Sequence, residues 1–239
     1  MQPDKNYKGI AIGLPCYGAQ MEMETRATVS SIRHALAWNR IKSEEYSISL
    51  ADIVDVRNCI LTWFYDGTDF EHLLMIDNDM AFSPDVVFRA LDLEKPLVGV
   101  VYSKRELQRD ANPWPIIVGT PLDTPGSIIN GFQRWRYVGG GMMLIHRSLV
   151  TEMIQKMPGI VDNFDDAVQP GVTRTIRAFD KLKREDGIVL SEDNSFCERW
   201  GRCGGEVWAG VDFPIGHIGR FNYCIQATEL LGLKKLHAA

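Results

Sequence analysis

Apolar residues in the first hundred positions fall into two alternating patterns. GIAIGLP, HLLMID and LVGVVY are short unbroken runs that predict buried strands, and Gly and Pro stop the first of them. EYSISL predicts a further strand near residue 45. Between these runs the apolar positions return at helical spacing. Val29, Ile32 and Leu36, with Ala35, form one such stripe, and Arg26, Arg33 and Arg40 occupy polar positions beside it. VRNCILTWFYDG predicts a second helix closed by Gly67. PDVVFRALDL predicts a third, opened by Pro84 at the position where a missing N–H costs least.

Strands alternating with helices predict an α/β fold, with a mostly parallel central sheet and helices on both faces. Ligands of such sheets bind at the carboxyl ends of the strands. PCYG and DND directly follow predicted strands, whereas DVRN leads into a helix. After Tyr102 the periodicity dissolves into a stretch rich in Pro, Gly and Asn that predicts long loops up to Gly131. RWRYVGGGMMLIHRSL then predicts a strand, a triple-glycine turn, a second strand and a helix from Ser148. Pro158 to Gly187 is again polar and loop-like. With no repeat and no linker composition, residues 1–239 are expected to form one domain.

Composition refines this picture little. Hydrophobic residues make up 45% and charged residues 24% of the 239, the balance of a chain with a real core. A formal charge of -5 argues against a broad basic surface for nucleic acid, while leaving a local basic groove open. No apolar run approaches the roughly 20 residues that span a bilayer, and charges near the N-terminus stand where a signal peptide is apolar. The expected location is cytoplasmic. Five cysteines without a disulfide pattern agree with that. Cys197, Cys203, His217 and Cys224 are zinc-type ligands, but they lack the tight CxxC spacing of a structural site, and buried thiols are the simpler reading.

The strongest chemical signal is LLMIDNDMAF. An apolar strand running into Asp77-Asn78-Asp79 sets two hard oxygen ligands at the sheet edge, suited to Mg²⁺ or Mn²⁺ shared with substrate phosphates. A turn in which these residues cap the next helix is the alternative. Ser191 with Asp193 and Asn194 has the pattern of a helix start. Gly139, Gly140 and Gly141 permit either a bulge or a close approach of backbone to a ligand. Trp135, Trp200 and Trp208 flank these segments, as stacking platforms for sugars or as packed core. No GxGxxG, Walker, HExxH or Ser-His-Asp pattern competes.

Taken in order, DVRN, LLMIDNDMAFSPDVV, LVGVVYSKR, GGGMMLIHRSL, SEDNSFCERW and HIGR resemble GT-A glycosyltransferases, most closely the compact bacterial and viral members related to family two. The resemblance spans Gly9 to about Arg220 and implies a nucleotide-binding half (1–105) followed by an acceptor and catalytic half (106–239). It implies transfer of a hexosyl or pentosyl unit from a UDP- or GDP-sugar, with Mn²⁺ or Mg²⁺. The acceptor would be a glycan, a lipid-linked sugar, a protein or a nucleobase. Residue by residue, it implies metal and diphosphate contacts from Asp77, Asn78 and Asp79, with His217 completing the metal shell. Pro15, Cys16 and Tyr17 stand where the nucleotide base is held. Arg57 would meet the diphosphate, its alternative being a salt bridge with Asp55 or another acid. Gly140 and Gly141 would line the donor-sugar pocket. Glu192-Asp193 resembles the acidic pair of inverting members, with Asp193 preferred over Glu192 as the general base. The rival readings are a sugar-nucleotide nucleotidyltransferase, for which PCYGAQMEME lacks the glycine- and lysine-rich loop, and a non-catalytic carbohydrate-binding protein on a degenerate transferase fold.

Overall fold

A computed structural model describes residues 7–16, 20–106, 117–164, 173–219 and 221–232. Its elements follow the chain as β1 (Ile10–Pro15), α1 (Met23–Trp38), β2 (Ser43–Ile48), α2 (Ile53–Gly67), β3 (His72–Ile76), β4 (Met80–Ala81) and α3 (Pro84–Asp92). Next come β5 (Leu97–Val100), β6 (Tyr102–Ser103), β7 (Ile117–Val118), β8 (Thr120–Pro121), β9 (Phe132–Tyr137), β10 (Met142–His146) and α4 (Arg147–Lys156). A 3₁₀ turn at Pro158–Ile160 precedes the hairpin of β11 (Val161–Asn163) and β12 (Arg174–Ile176). The described chain then continues with α5 (Glu192–Arg202), β13 (Val207–Gly210), β14 (Pro214–Ile218), β15 (Asn222–Gln226) and α6 (Ala227–Leu230).

The largest sheet has the order β2-β1-β3-β10-β5-β13-β9-β8. Strand pairings run β10 and β9 against the other six, so the expected α/β class and mostly parallel sheet are what the protein has. β1 is buried along its whole length, as its unbroken apolar run requires. Alternation along the strands feeds two cores. Ile10, Ile12, Leu74 and Ile76 pack with Val29, Ile32, Val87 and Leu91 of α1 and α3 on one face. Ala11, Leu73 and Met75 pack with Ile60, Phe64, Leu149 and Phe196 of α2, α4 and α5 on the other. Helices on both faces follow from that division.

Local signals set the boundaries. Asp52 caps α2 by accepting from the Val54 N–H at 2.8 Å, which puts DVRN inside the first turns of the helix. Ser83 caps α3 ahead of Pro84. β2 begins two residues earlier than EYSISL suggests. The expected loop after Tyr102 contains β6 to β8 in its described part, and the polar stretch from Pro158 contains the β11–β12 hairpin. Among the described residues, no helix is long and apolar enough to cross a membrane.

Candidate functional site

The carboxyl ends of β1, β3, β5 and β13, and the amino end of β10, lie at one edge of the sheet. At that edge the Asp77 N–H donates to the Gly141 carbonyl at 3.1 Å, fixing the DND turn against the glycine segment. β4 follows the turn at once and pairs with β14, with His217 opposite Met80. The Ile218 N–H donates to the Asp79 carbonyl at 2.7 Å. That pairing brings His217 to Asp79, its Nε2 lying 3.4 Å from Asp79 Oδ2.

His217 is oriented as a ligand would be. Its Nδ1–H donates to the Ser103 carbonyl at 2.8 Å, which assigns the tautomer and leaves the Nε2 lone pair facing Asp79. Burial, aided by Arg105, lowers its pKa against the opposing pull of the Ser103 carbonyl and Asp77, so the neutral ring prevails. An oxygen and a nitrogen 3.4 Å apart can share one small cation, since each ligand sits roughly 2.0–2.2 Å from such an ion. Asp79 and His217 therefore fit a divalent metal as neighbouring ligands. Asp77 does not join them. No group of three or more His, Cys, Asp or Glu side chains forms a cation site among the described residues.

Asp77 is committed elsewhere. Arg57 Nη2 donates to both of its oxygens, at 2.8 and 3.0 Å. The Arg57 side chain is only 3% exposed, and its Nε lies 3.5 Å from Glu192 Oε1. Burial alone would lower the guanidinium pKa, but Asp77, Glu192 and Asp193 outweigh it and raise the pKa above the ordinary arginine value. Arg57 is thus a buried tie between two acids, and its ion-pair partner is Asp77 and not Asp55. The glycines explain how it fits. A Cβ on Gly140 would collide with Arg57 Nη2, and one on Gly141 would lie 2.8 Å from the Tyr102 ring. The close approach that these glycines permit is to the protein's own Arg57 and Tyr102, whose hydroxyl accepts from the Gly141 N–H at 3.1 Å.

Asp193 stands at the start of α5. Its Oδ2 accepts from the Gly140 N–H at 3.1 Å and its Oδ1 from the Asn194 N–H at 2.7 Å. The Ser191 hydroxyl also donates to Oδ1; it makes no capping bond to the helix backbone. Asn78 ties the turn to the segment before α1: its Nδ2 donates to the Gln20 carbonyl, and its own carbonyl accepts from the Glu22 N–H. Pro15 ends β1, and buried Cys16 accepts a hydrogen bond from Ser47. Cys16 also lines a cavity of about 300 Å³ with Leu50, Asp52, Ile53 and Val56, at the place expected for a nucleotide base. Tyr17 lies outside the described residues. A larger cavity, about 880 Å³, opens between α1 and β2 against Arg33, Lys42 and Glu45 and touches none of these residues.

The zinc alternative fails on geometry, because Cys197 and Cys203 are buried apart from His217 in the core beneath α5. The three tryptophans are packed, their Nε1–H groups donating to Gln133 and to the Glu206 carbonyl and carboxylate. The sequence reading missed Arg105. It follows β6, donates from Nε to His217 Nε2 at 3.2 Å, and its Nη2 pairs with Asp79. The signal was present in YSKR, a basic pair at the end of a strand reaching the ligand-binding edge.

No family model matches the chain, and no curated protein matches it. Among solved structures, A197 from STIV aligns over 88% of this chain and 86% of its own, at 15% identity and a TM-score of 0.49. GalNAc-T7 with UDP, GalNAc and Mn²⁺ aligns over 94% of this chain but 45% of its own, at 10% identity and a TM-score of 0.48. A Drosophila beta-1,4-galactosyltransferase 7 mutant complexed with manganese, UDP-Gal and xylobiose aligns over 97% and 82%, at 13% identity and a TM-score of 0.40. All three scores fall below 0.5, so the function of this chain has to be argued from its own side chains.

Proposed function

We propose that the chain is a metal-dependent glycosyltransferase of the GT-A type, which moves a sugar from a nucleoside diphosphate sugar to an acceptor hydroxyl with inversion. The observation that carries it is the seating of Asp79 beside a correctly oriented His217 at the carboxyl edge of the sheet, with Asp193 joined to the same edge through Gly140. Local charge supports it. Among the described residues, the four acids Asp77, Asp79, Glu192 and Asp193 are set against Arg57 and Arg105, a formal excess of negative charge that a divalent cation would offset.

Asp79 and His217 would hold Mn²⁺ or Mg²⁺, and the bound metal would supply charge neutralisation for the departing diphosphate. Asp193, with one hydrogen bond on Oδ2, keeps a lone pair there to accept the acceptor's proton. The Gly140 N–H fixes that carboxylate in place. Arg57 would act at one remove, holding Asp77 and Glu192 so that the DND turn and the start of α5 keep their spacing. The Cys16 cavity would receive the base of a UDP- or GDP-sugar.

The test is a panel of UDP- and GDP-sugars, each with Mn²⁺ and with chelator, read by thermal shift and calorimetry. A nucleoside diphosphate should bind and stabilise the fold only with the metal, because without it the excess of acidic over basic side chains at this edge would repel the phosphates. Equal affinity with chelator would remove the metal from this reading. The non-catalytic reading has one observation in its favour, that Asp77 and Asp79 are each paired with an arginine. Absence of any nucleotide binding would favour it.

A further inference from the structure

Arg105 occupies the space between the two candidate metal ligands. Its Nη2 pairs with Asp79 Oδ2 and its Nε–H donates to His217 Nε2, the same two atoms that fit a shared cation. The guanidinium is therefore a cation held where the divalent ion would sit. We propose that Arg105 is an exchangeable counter-cation: it fills the metal position in the nucleotide-free protein and swings out to the diphosphate when metal and donor enter. This inference rests on the metal-dependent reading above.

The burial gradient favours exchange over a fixed ion pair. Side chains of Asp79 and His217 are 15% and 16% exposed, whereas that of Arg105, which contacts both, is 45% exposed. Its departure would open the two ligands without opening the core. The backbone behind it is held, because the Ser103 hydroxyl donates to the Tyr223 carbonyl at 2.6 Å and the Ser103 carbonyl accepts from His217. With the pivot fixed, the exchange would need only a change of rotamer in a side chain that is 45% exposed. Gly219 lets Arg105 lie where it does, since a Cβ there would stand 3.0 Å from Arg105 Cδ.

Charge makes the exchange useful. With Arg105 in place, Asp79 does not present a bare carboxylate to a phosphate, and His217 keeps a hydrogen-bonded lone pair. A metal arriving with a diphosphate offers Asp79 and His217 a stronger cation, and offers the displaced guanidinium a phosphate that its planar fork matches. Arg57 cannot do this, because it is buried and bound at both ends.

The test titrates MnCl₂ alone into nucleotide-free wild type, Arg105→Ala and Asp79→Asn, following free Mn²⁺ by electron paramagnetic resonance. UDP is then titrated at saturating Mn²⁺ by calorimetry. Removing the internal competitor should tighten Mn²⁺ binding by about tenfold or more in Arg105→Ala, while weakening UDP by a similar factor. Asp79→Asn should lose Mn²⁺ binding. Unchanged or weaker Mn²⁺ binding in Arg105→Ala, beside its loss in Asp79→Asn, would overturn the exchange while leaving the metal site standing. Tighter Mn²⁺ with unchanged UDP would overturn the swing to the diphosphate. No Mn²⁺ binding by wild type or Arg105→Ala, with or without UDP, would overturn the metal-dependent reading and this inference together.

Discussion

One nitrogen of Arg57, Nη2, donates to both carboxylate oxygens of Asp77 from a side chain that is 3% exposed. The pair joins α2 to the end of β3, and through Glu192 to α5. Breaking a buried pair by removing one partner costs more than the pair contributes, because a charge is left without compensation. Arg57→Met should destabilise the fold by about 3–5 kcal/mol in urea unfolding. Asp79→Asn, which keeps the side chain's size and whose ion-pair partner Arg105 is 45% exposed, should cost much less. Equal losses in the two variants would refute the division into a structural and a functional acid.

Gly140→Ala would drive a methyl into the Arg57 guanidinium. The expected cost is about 1–3 kcal/mol in wild type, the usual penalty of overpacking. In the Arg57→Met background the guanidinium is gone and the same change should cost much less, a coupling that a double-mutant cycle measures. Simple additivity would mean that the glycine serves some other contact.

Asp193→Asn tests the base. With an acceptor identified, its kcat should fall by about 10²–10⁴-fold while UDP affinity at saturating Mn²⁺ changes little. Glu192→Gln should retain far more activity but unfold at lower temperature, since the buried Arg57 loses a charged partner. If the two activity losses exchange places, Glu192 is the base. If neither variant slows transfer, the start of α5 is only a helix terminus.

At the opposite end of β3, His72 packs edge-on against His146 and Tyr7. Burial, helped by His146, lowers its pKa from 6.5 to about 3. The unfolded chain therefore binds a proton below pH 6.5 that the folded chain refuses until near pH 3. Stability from this neutral ring is complete above that window and is lost as pH falls through it, by up to about 2 kcal/mol at pH 5. His146, also shifted down by burial, acts in the same direction. Melting temperature should drop between pH 7.5 and pH 5, and less so in His72→Phe. Identical pH dependence in the two proteins would rule His72 out.

Much of the fold was legible in local pattern. β1, β3 and β5 are unbroken apolar runs and α1 to α3 carry helical stripes, with Pro84 opening α3, so period located them. The Asp52 cap that starts α2 three residues before VRNC was not read. The DND turn was legible for the same reason, as a polar triplet straight after a buried strand. Roles that depend on a distant partner were not. Arg57 carries no local mark of burial, and only the packing of α2 beneath the glycine segment selects Asp77 over the nearby Asp55.

By itself, then, the sequence determined the order of strands and helices and the edge of the sheet where the acids stand. Tertiary structure decided which partners each acid meets. β10 inserts between β3 and β5 and sets Gly140 and Gly141 beside Asp77, and the β14–β4 register delivers His217 to Asp79. Arg105 reaches the same oxygen from a strand end that Ser103 ties to β15. Period and capping are properties of a dozen neighbouring residues, whereas strand register and the choice of ion-pair partner are settled by burial among segments far apart in the chain.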